Sequence, residues 1–177
     1  MIEALLSSKT RMKLLMKFFL NSNNSSYLRN LEEEFGESTN GIRIELNRFE
    51  KAGFLESRLE GNKKMFKVNV GHPLFKDLNS ILMKMTGLNH VIDYILARIG
   101  DLDKVYLVGK LAQGQDTGII DIVLVGDEIN KNFLIEQIEK AEKKIGKKIR
   151  YVHFTTTEFE LSKIEEPGLH PLLLWSK

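Results

Sequence analysis

The stretch STNGIRIELNRFEKAGFL, residues 38–55, decides the fold expected for the first half of this chain. Ile42, Leu46 and Phe49 recur at helical spacing, so they form one apolar stripe along a helix. The residues that can begin and end this helix are Ser38 or Thr39 at its start and Gly53 at its end. A helix with one apolar stripe packs that stripe against a core and leaves its other face to solvent or to a partner.

The other face of this helix is rich in amide and cationic side chains. They are Asn40, Arg43, Asn47 and Lys51, with Arg48 beside them. Asparagine and arginine side chains match the hydrogen-bonding edges of bases, and lysine and arginine match phosphates. Gly41, near the helix start, either allows a close approach to a partner or is a tolerated glycine without further role.

A basic hairpin is expected directly after this helix. Strands over residues 54–59 and 63–70 flank the turn Glu60-Gly61-Asn62, and apolar and polar residues alternate in the second strand. Arg58 lies on the first strand, and Lys63 and Lys64 lie at the tip. These cations either contact phosphates, which adds affinity without selecting a sequence, or form an ordinary solvated turn.

Two further helices are expected before this stretch. The first covers Lys9 to Leu20, and the second begins at a Ser25 or Ser26 cap and ends at Gly36. With the helix after Ser38, this spacing is typical of a helix-turn-helix. A polar third helix followed by a basic hairpin resembles the winged helix-turn-helix of bacterial ArsR- and MarR-type regulators. The resemblance implies binding to double-stranded DNA, with the third helix in the major groove.

A fourth helix follows Pro73 and carries an apolar stripe. Its members are Leu74, Leu78, Ile81, Leu82 and Met85. In the regulators that this chain resembles, terminal helices build a homodimer, and we expect the same here. The alternative is that the stripe packs on its own domain or on the next one. A further helix is expected from Asn89 to Ile99.

The second half alternates between strand and helix patterns. Strands are expected at Val105–Val108, Ile119–Val125 and Lys148–Phe154, with a glycine-rich loop over residues 109–118 and a helix between the last two strands. The whole chain is therefore expected to be α+β. We predict a winged-helix DNA-binding domain at residues 1–87 and a small α/β domain at residues 88–177.

The stretch VGKLAQGQDTGIIDIVLVG, residues 108–126, resembles the signature of minimal polymerase-beta-like nucleotidyltransferases. The matching positions are Gly109, Ala112, Gly114 and Asp121. Lys110 stands where the family has serine, and Ile119 stands where it has the first of two metal-binding aspartates. The later strand offers no third carboxylate. Because Ile119 cannot bind Mg²⁺, we expect a catalytically inactive domain with no metal site and no cofactor.

The glycine-rich loop of this second domain is a candidate ligand-binding site even without catalysis. Glycine-rich backbone amides can bind anions, and Lys110 adds a positive charge. Gly109, Lys110 and Gly114 therefore form a candidate site for a nucleotide or another phosphorylated effector. The alternative is a loop that only packs against the rest of the domain.

Composition and charge agree with these assignments. Residues 1–87 carry 14 Lys and Arg against 10 Asp and Glu, whereas residues 88–177 carry 12 against 14. There are no cysteines, no apolar run has the length of a membrane span, and the start lacks a basic signal-peptide region, so we expect a cytoplasmic protein.

The function expected from the sequence is a homodimeric, sequence-specific transcriptional regulator. The first alternative is an active nucleotidyltransferase in which the winged helix is a targeting module. The second is a protein-interaction module, because winged helices also bind proteins. The Ile119–Asp121 pair distinguishes the enzyme from the regulator, since catalysis needs both positions acidic.

Overall fold

The computed structural model describes residues 8–96, 100–165 and 168–177. The chain is mixed α+β and divides into one compact unit that ends at Leu82 and a second that begins at Met83. The described residues contain seven α-helices and two β-sheets. Within these residues, no helix combines the length and the apolar character that crossing a membrane requires. The predicted domain boundary after residue 87 stays a prediction.

The first unit has a winged-helix-like fold. Its elements, in chain order, are α1 (Lys9–Leu15), a π-helical segment (Met16–Leu20), β1 (Ser25–Tyr27), α2 (Leu28–Phe35), α3 (Thr39–Lys51), β2 (Leu55–Glu60) and β3 (Lys63–Val68). All three strands are antiparallel and lie in the order β1-β3-β2. Gly61 and Asn62 form the tight turn between β2 and β3, and Gly61 has a positive φ of 60° that suits glycine there.

The core of this unit is built from the apolar stripes of its helices. Ile42 and Leu46 of α3 and Leu31 of α2 are almost completely buried, together with Phe18 and Phe19 of the π-helical segment. Phe19 makes edge-on ring contacts with Phe49 and Phe54 at centroid distances of 6.4 and 5.8 Å. This packing determines which face of α3 is left exposed.

Several predicted details of this unit were wrong. Ser25 and Ser26 belong to β1, so α2 begins after Tyr27 and has no side-chain cap at its start. The first helix changes to π-helical hydrogen bonding at Met16, and Asn79 donates to the main-chain carbonyls of Phe19 and Leu20. The predicted stop at Gly53 is confirmed, because α3 ends at Lys51 with Ala52 as its cap and Gly53 follows with a positive φ of 76°.

Two helices follow the hairpin. α4 (Phe75–Thr86) begins after Leu74, later than the predicted start at Pro73, and α5 spans Leu88–Leu96. The predicted end of the latter at Ile99 lies outside the described residues. The predicted apolar stripe of α4 divides: Leu82 is buried, whereas Leu74, Ile81 and Met85 are 50%, 38% and 38% exposed.

The second unit contains a four-stranded sheet in the order β6-β5-β4-β7. Its further elements are β4 (Gly100–Val108), α6 (Gly109–Ala112), β5 (Ile119–Ile129), α7 (Lys131–Ile145), β6 (Lys148–Phe154) and β7 (Leu172–Ser176). β4 is antiparallel to β5 and β7, whereas β5 and β6 are parallel and joined by the crossover helix α7. α5 and α7 pack against each other.

Both faces of this sheet are covered, but one face is buried more completely than the other. Ile120, Ile122 and Leu124 are at most 1% exposed and point to one face. The other face carries Tyr106 and Val123, which pack with Phe159 from the segment after β6. One prediction was wrong here, since the first residues of the expected loop form the short helix α6. Leu172–Ser176 forms the edge strand β7.

Candidate nucleic-acid interface

The exposed face of α3 carries the polar side chains singled out from the sequence. Ser38 caps the helix, and its hydroxyl accepts a hydrogen bond from the Gly41 amide at 3.3 Å. Ile42, Leu46 and Phe49 are buried, and this packing fixes the orientation of the helix about its own axis. Asn40, Arg43, Asn47 and Lys51 are all exposed and lie within one narrow sector of the helix.

Glu50 attaches the hairpin to the last turn of α3. Its carboxylate accepts hydrogen bonds from the Ser57 hydroxyl on β2 at 2.5 Å and from the Lys64 ammonium on β3 at 2.7 Å. The hydrogen bond from Lys64, supported by that from Ser57, lowers the pKa of Glu50 below its ordinary value. The hairpin is therefore fixed relative to α3 by a charged contact that Lys64 itself supplies.

A cleft of about 580 Å³ lies between α2, α3 and the hairpin. Arg43 and Asn47 line it from α3, and Lys63 and Lys64 line it from the hairpin. Lys63 lies over the Tyr27 ring, with its ammonium 4.4 Å from the ring centroid. The structure thus brings four of the predicted site residues around one concave, cation-rich surface.

Two other predicted cations, Arg48 and Arg58, have charge partners of their own. The Arg48 guanidinium donates to Glu45 at 2.8 Å, and Arg11 of α1 donates to the same carboxylate at 2.9 and 3.1 Å. Hydrogen bonding by Arg11 lowers the pKa of Glu45 despite the opposing effect of burial. Arg58 is paired with Glu60 at 2.6 Å within the hairpin. Arg48 and Arg58 are exposed, but each has a charge partner close by.

The cleft also contains residues that the sequence analysis did not select. Tyr27 and Arg29 line it from the start of α2, and Asn62 lines it from the hairpin turn. The position of Arg29 could have been inferred from the sequence, because it lies on the helix that precedes α3 in a helix-turn-helix. The role of Tyr27 depends on the pairing of β1 with β3, which local sequence does not indicate.

The second candidate site, the loop after β4, is arranged differently from the prediction. Gly109 has a φ of 68°, and a β-carbon there would lie 2.6 Å from an Asp121 carboxylate oxygen. Gly109 therefore allows the close approach of Asp121. Gly109 lines a cavity on the second sheet, but Lys110 and Gly114 are not among its lining residues.

Asp121 is engaged by an arginine on the neighbouring strand. Arg150 is its direct partner in the parallel register of β5 and β6. The guanidinium donates from Nε at 2.6 Å and from Nη2 at 3.0 Å to the two carboxylate oxygens. This contact raises the pKa of Arg150. In the part of the chain that the structure describes, no three acidic or histidine side chains form a group that could hold a metal ion.

Comparisons with known proteins add little to this geometry. No protein-family model and no curated protein matches the chain. Reduced HlyU from Vibrio cholerae is similar to it with a TM-score of 0.37 and 13% identity, over 47% of this chain and 79% of that one. AF1382 from Archaeoglobus fulgidus has a TM-score of 0.38 and 17% identity, over 52% of this chain and 98% of that one. Similarities this weak carry no argument about function, which must come from the site itself.

Proposed function

We propose that this protein is a sequence-specific, double-stranded DNA-binding transcriptional regulator that acts as a homodimer. The observation that carries the proposal is the cation-rich cleft in which Arg43 and Asn47 of α3 converge with Lys63 and Lys64 of the hairpin. Groups suited to bases and groups suited to phosphates share this surface, as DNA recognition requires.

In this proposal α3 enters the major groove and reads bases with its N-terminal half. The Arg43 guanidinium pairs with guanine, and the amide of Asn40 or Asn47 pairs with adenine. Ile44 lies on the same exposed face and is 43% exposed, so its side chain is available to contact a thymine methyl group. A helix that offers all three kinds of contact can distinguish base pairs rather than only bind backbone.

The hairpin supplies backbone contacts in this proposal. Lys63 is exposed and has no carboxylate partner within the described residues, so its charge is available to a phosphate. Lys64 forms an ion pair with Glu50, and this pair fixes the position of the hairpin on α3. We therefore assign the larger phosphate contribution to Lys63 and a mainly positioning role to Lys64.

The homodimer is proposed on the exposed apolar face of α4. Ile81 and Met85 lie on one side of this helix and are each 38% exposed, and Leu74, just before its start, is 50% exposed, although all three are large apolar residues. A face of this kind is typical of a helix that packs against a second copy. A dimer would present two copies of α3 to half-sites about 34–36 Å apart on the same side of the DNA.

The second domain is proposed to be a catalytically inactive nucleotidyltransferase-like domain that serves effector binding or assembly. Ile119 occupies the position of a metal-binding carboxylate, and Arg150 engages the remaining aspartate, Asp121. A guanidinium bound to that carboxylate competes with any cation for the same oxygens. Ile119 and the Arg150–Asp121 contact both support a domain that does not use the two-metal chemistry of active nucleotidyltransferases.

The test of this function is selection of duplexes from a random-sequence library by the purified full-length protein. The proposal expects enrichment of an inverted repeat whose half-sites are about one helical turn apart. A matched control is Lys140→Ala, at an exposed position on α7, which should select the same motif. Failure of the wild-type protein to enrich any motif would refute sequence-specific recognition.

A further inference from the structure

The second unit contains a cavity of about 560 Å³ on the sheet face that carries Tyr106 and Val123. This size lies within the range of roughly 300–1,000 Å³ that is common for small-molecule sites. Phe159 is stacked on Tyr106 at a centroid distance of 5.4 Å and contacts Phe154 at 6.1 Å. These aromatic contacts hold the segment after β6 on the sheet, so the cavity is already formed without a ligand.

The walls of the cavity are mainly apolar and come from three strands and the segment that follows them. The apolar lining residues include Val108, Val123, Val152, Phe154, Ile164 and Leu169. Val152 and Leu169 are 54% and 39% exposed, so apolar surface remains open to water on one side. A ligand with an apolar body would cover this surface and gain the free energy of its burial.

One part of the lining is polar and has an excess of positive charge. Among the residues that the structure describes, the charged lining residues are the cations Arg150 and Lys163 and the carboxylate Asp121. Asp121 engages Nε and Nη2 of Arg150, which leaves Nη1 available as a donor. The Lys163 ammonium donates to the main-chain carbonyl of Glu158 at 2.6 Å and also attracts the Glu158 carboxylate, which does not line the cavity.

We propose that this cavity binds a small organic monoanion with an apolar body, such as a medium-chain or aromatic carboxylate. The anionic group would bind Arg150 and Lys163, whose charges exceed that of Asp121 by one. The apolar body would lie on Val123, Val152 and Phe154. A nucleoside triphosphate, with about four negative charges, would leave most of its charge uncompensated among these groups.

An organic monoanion would be the effector that the proposed function leaves unidentified. Binding of the monoanion depends only on the geometry of the second unit. Its consequence for DNA binding rests on the proposed function. The two can therefore fail separately, because the titration below measures ligand binding and the duplex selection described above measures DNA binding.

The experiment is calorimetric titration of the full-length protein with octanoate and with 1-naphthoate, and with octan-1-ol and Mg·ATP as comparison ligands. We expect at least one carboxylate to bind with a Kd below about 1 mM, more tightly than the alcohol, and without displacement by Mg·ATP. Arg150→Gln should weaken this binding about tenfold, because a charge-assisted hydrogen bond is lost. Lys148→Gln is the matched control, since Lys148 is exposed on the same strand, pairs with Glu142 and does not line the cavity.

A second variant tests the apolar part of the cavity without disturbing a buried position. Val152→Trp places a large side chain at a half-exposed lining residue and should also weaken carboxylate binding about tenfold. The inference is overturned if neither carboxylate binds, if the alcohol binds as tightly, if Mg·ATP displaces the carboxylate, or if neither variant changes the affinity. If the wild-type protein binds a carboxylate but selects no DNA motif, the proposed function alone is overturned.

Discussion

The hairpin lysines allow a quantitative test of the DNA contact, because each phosphate neutralised by a protein cation contributes about 0.9 to the slope of log K against log salt. Lys63 has no carboxylate partner within the described residues, so Lys63→Ala should reduce the magnitude of the slope by about 0.9. Between 50 and 200 mM salt, this reduction means an affinity loss about 3.5-fold smaller than that of the wild-type protein.

Lys64 should behave differently, because its ammonium is already paired with Glu50 at 2.7 Å. Lys64→Ala should change the slope by less than Lys63→Ala, and the double variant by between about 0.9 and 1.8. Glu50→Gln should make the slope steeper, because it releases the charge of Lys64 for a phosphate. The order of these four slopes follows from the single Glu50–Lys64 contact.

The assay is fluorescence anisotropy on the selected duplex, titrated at several KCl concentrations between about 50 and 200 mM. Lys140→Ala in the second unit serves as the control and should leave the slope unchanged. The hairpin variants should lose affinity for all DNA sequences alike, since phosphate contacts carry no sequence information. An unchanged slope in both Lys63→Ala and the double variant would remove the hairpin from the DNA contact.

Three further predictions concern assembly, catalysis and acid stability. Ile81→Glu, at a 38% exposed position of α4, should convert the dimer to a monomer, as measured by sedimentation velocity at micromolar concentration. A wild-type protein that is monomeric both with and without DNA would contradict the dimer. Incubation with labelled nucleoside triphosphates, Mg²⁺ or Mn²⁺ and protein or RNA acceptors should show no nucleotide transfer, whereas transfer that disappears in Asp121→Asn would establish an enzyme. Because Arg11 lowers the pKa of Glu45, the stability from this pair is present above the unfolded value of about 4.3 and is lost as the pH falls through the lower folded pKa. Glu45→Gln should therefore flatten the fall in Tm between about pH 5 and 3, and an equally steep fall in the variant would refute this role.

Elements defined by local sequence could be predicted well. The periodicity of Ile42, Leu46 and Phe49 placed α3, and the Gly61-Asn62 pair placed the hairpin turn. The predicted strand Lys148–Phe154 is confirmed with the same bounds. Each of these signals lies within a short window, where side-chain alternation or turn geometry decides the backbone conformation.

Features that depend on distant partners could not be predicted in this way. β1 is only Ser25–Tyr27 and exists because it pairs with β3. The Arg150–Asp121 contact depends on the parallel register of β5 and β6, which no local pattern specifies. The charge partner of Lys64 was missed for the same reason, since hairpin packing brings Glu50 to it. The Arg48–Glu45 pair is different, because it is an i,i+3 contact within α3 that local sequence could have indicated.

Parallel selections from one random-sequence library test whether α3 reads bases through Arg43. Wild-type protein, Arg43→Ala and Lys51→Ala would each be used, with Lys51 as the comparison because it lies on the same exposed face at the C-terminal end of the helix. We predict that Arg43→Ala loses preference at one base pair of each half-site, at a cost of about 1–3 kcal/mol on the wild-type motif. Lys51→Ala should keep the motif and bind all sequences more weakly. Selection of the unchanged motif with unchanged affinity by Arg43→Ala would show that Arg43 reads no base.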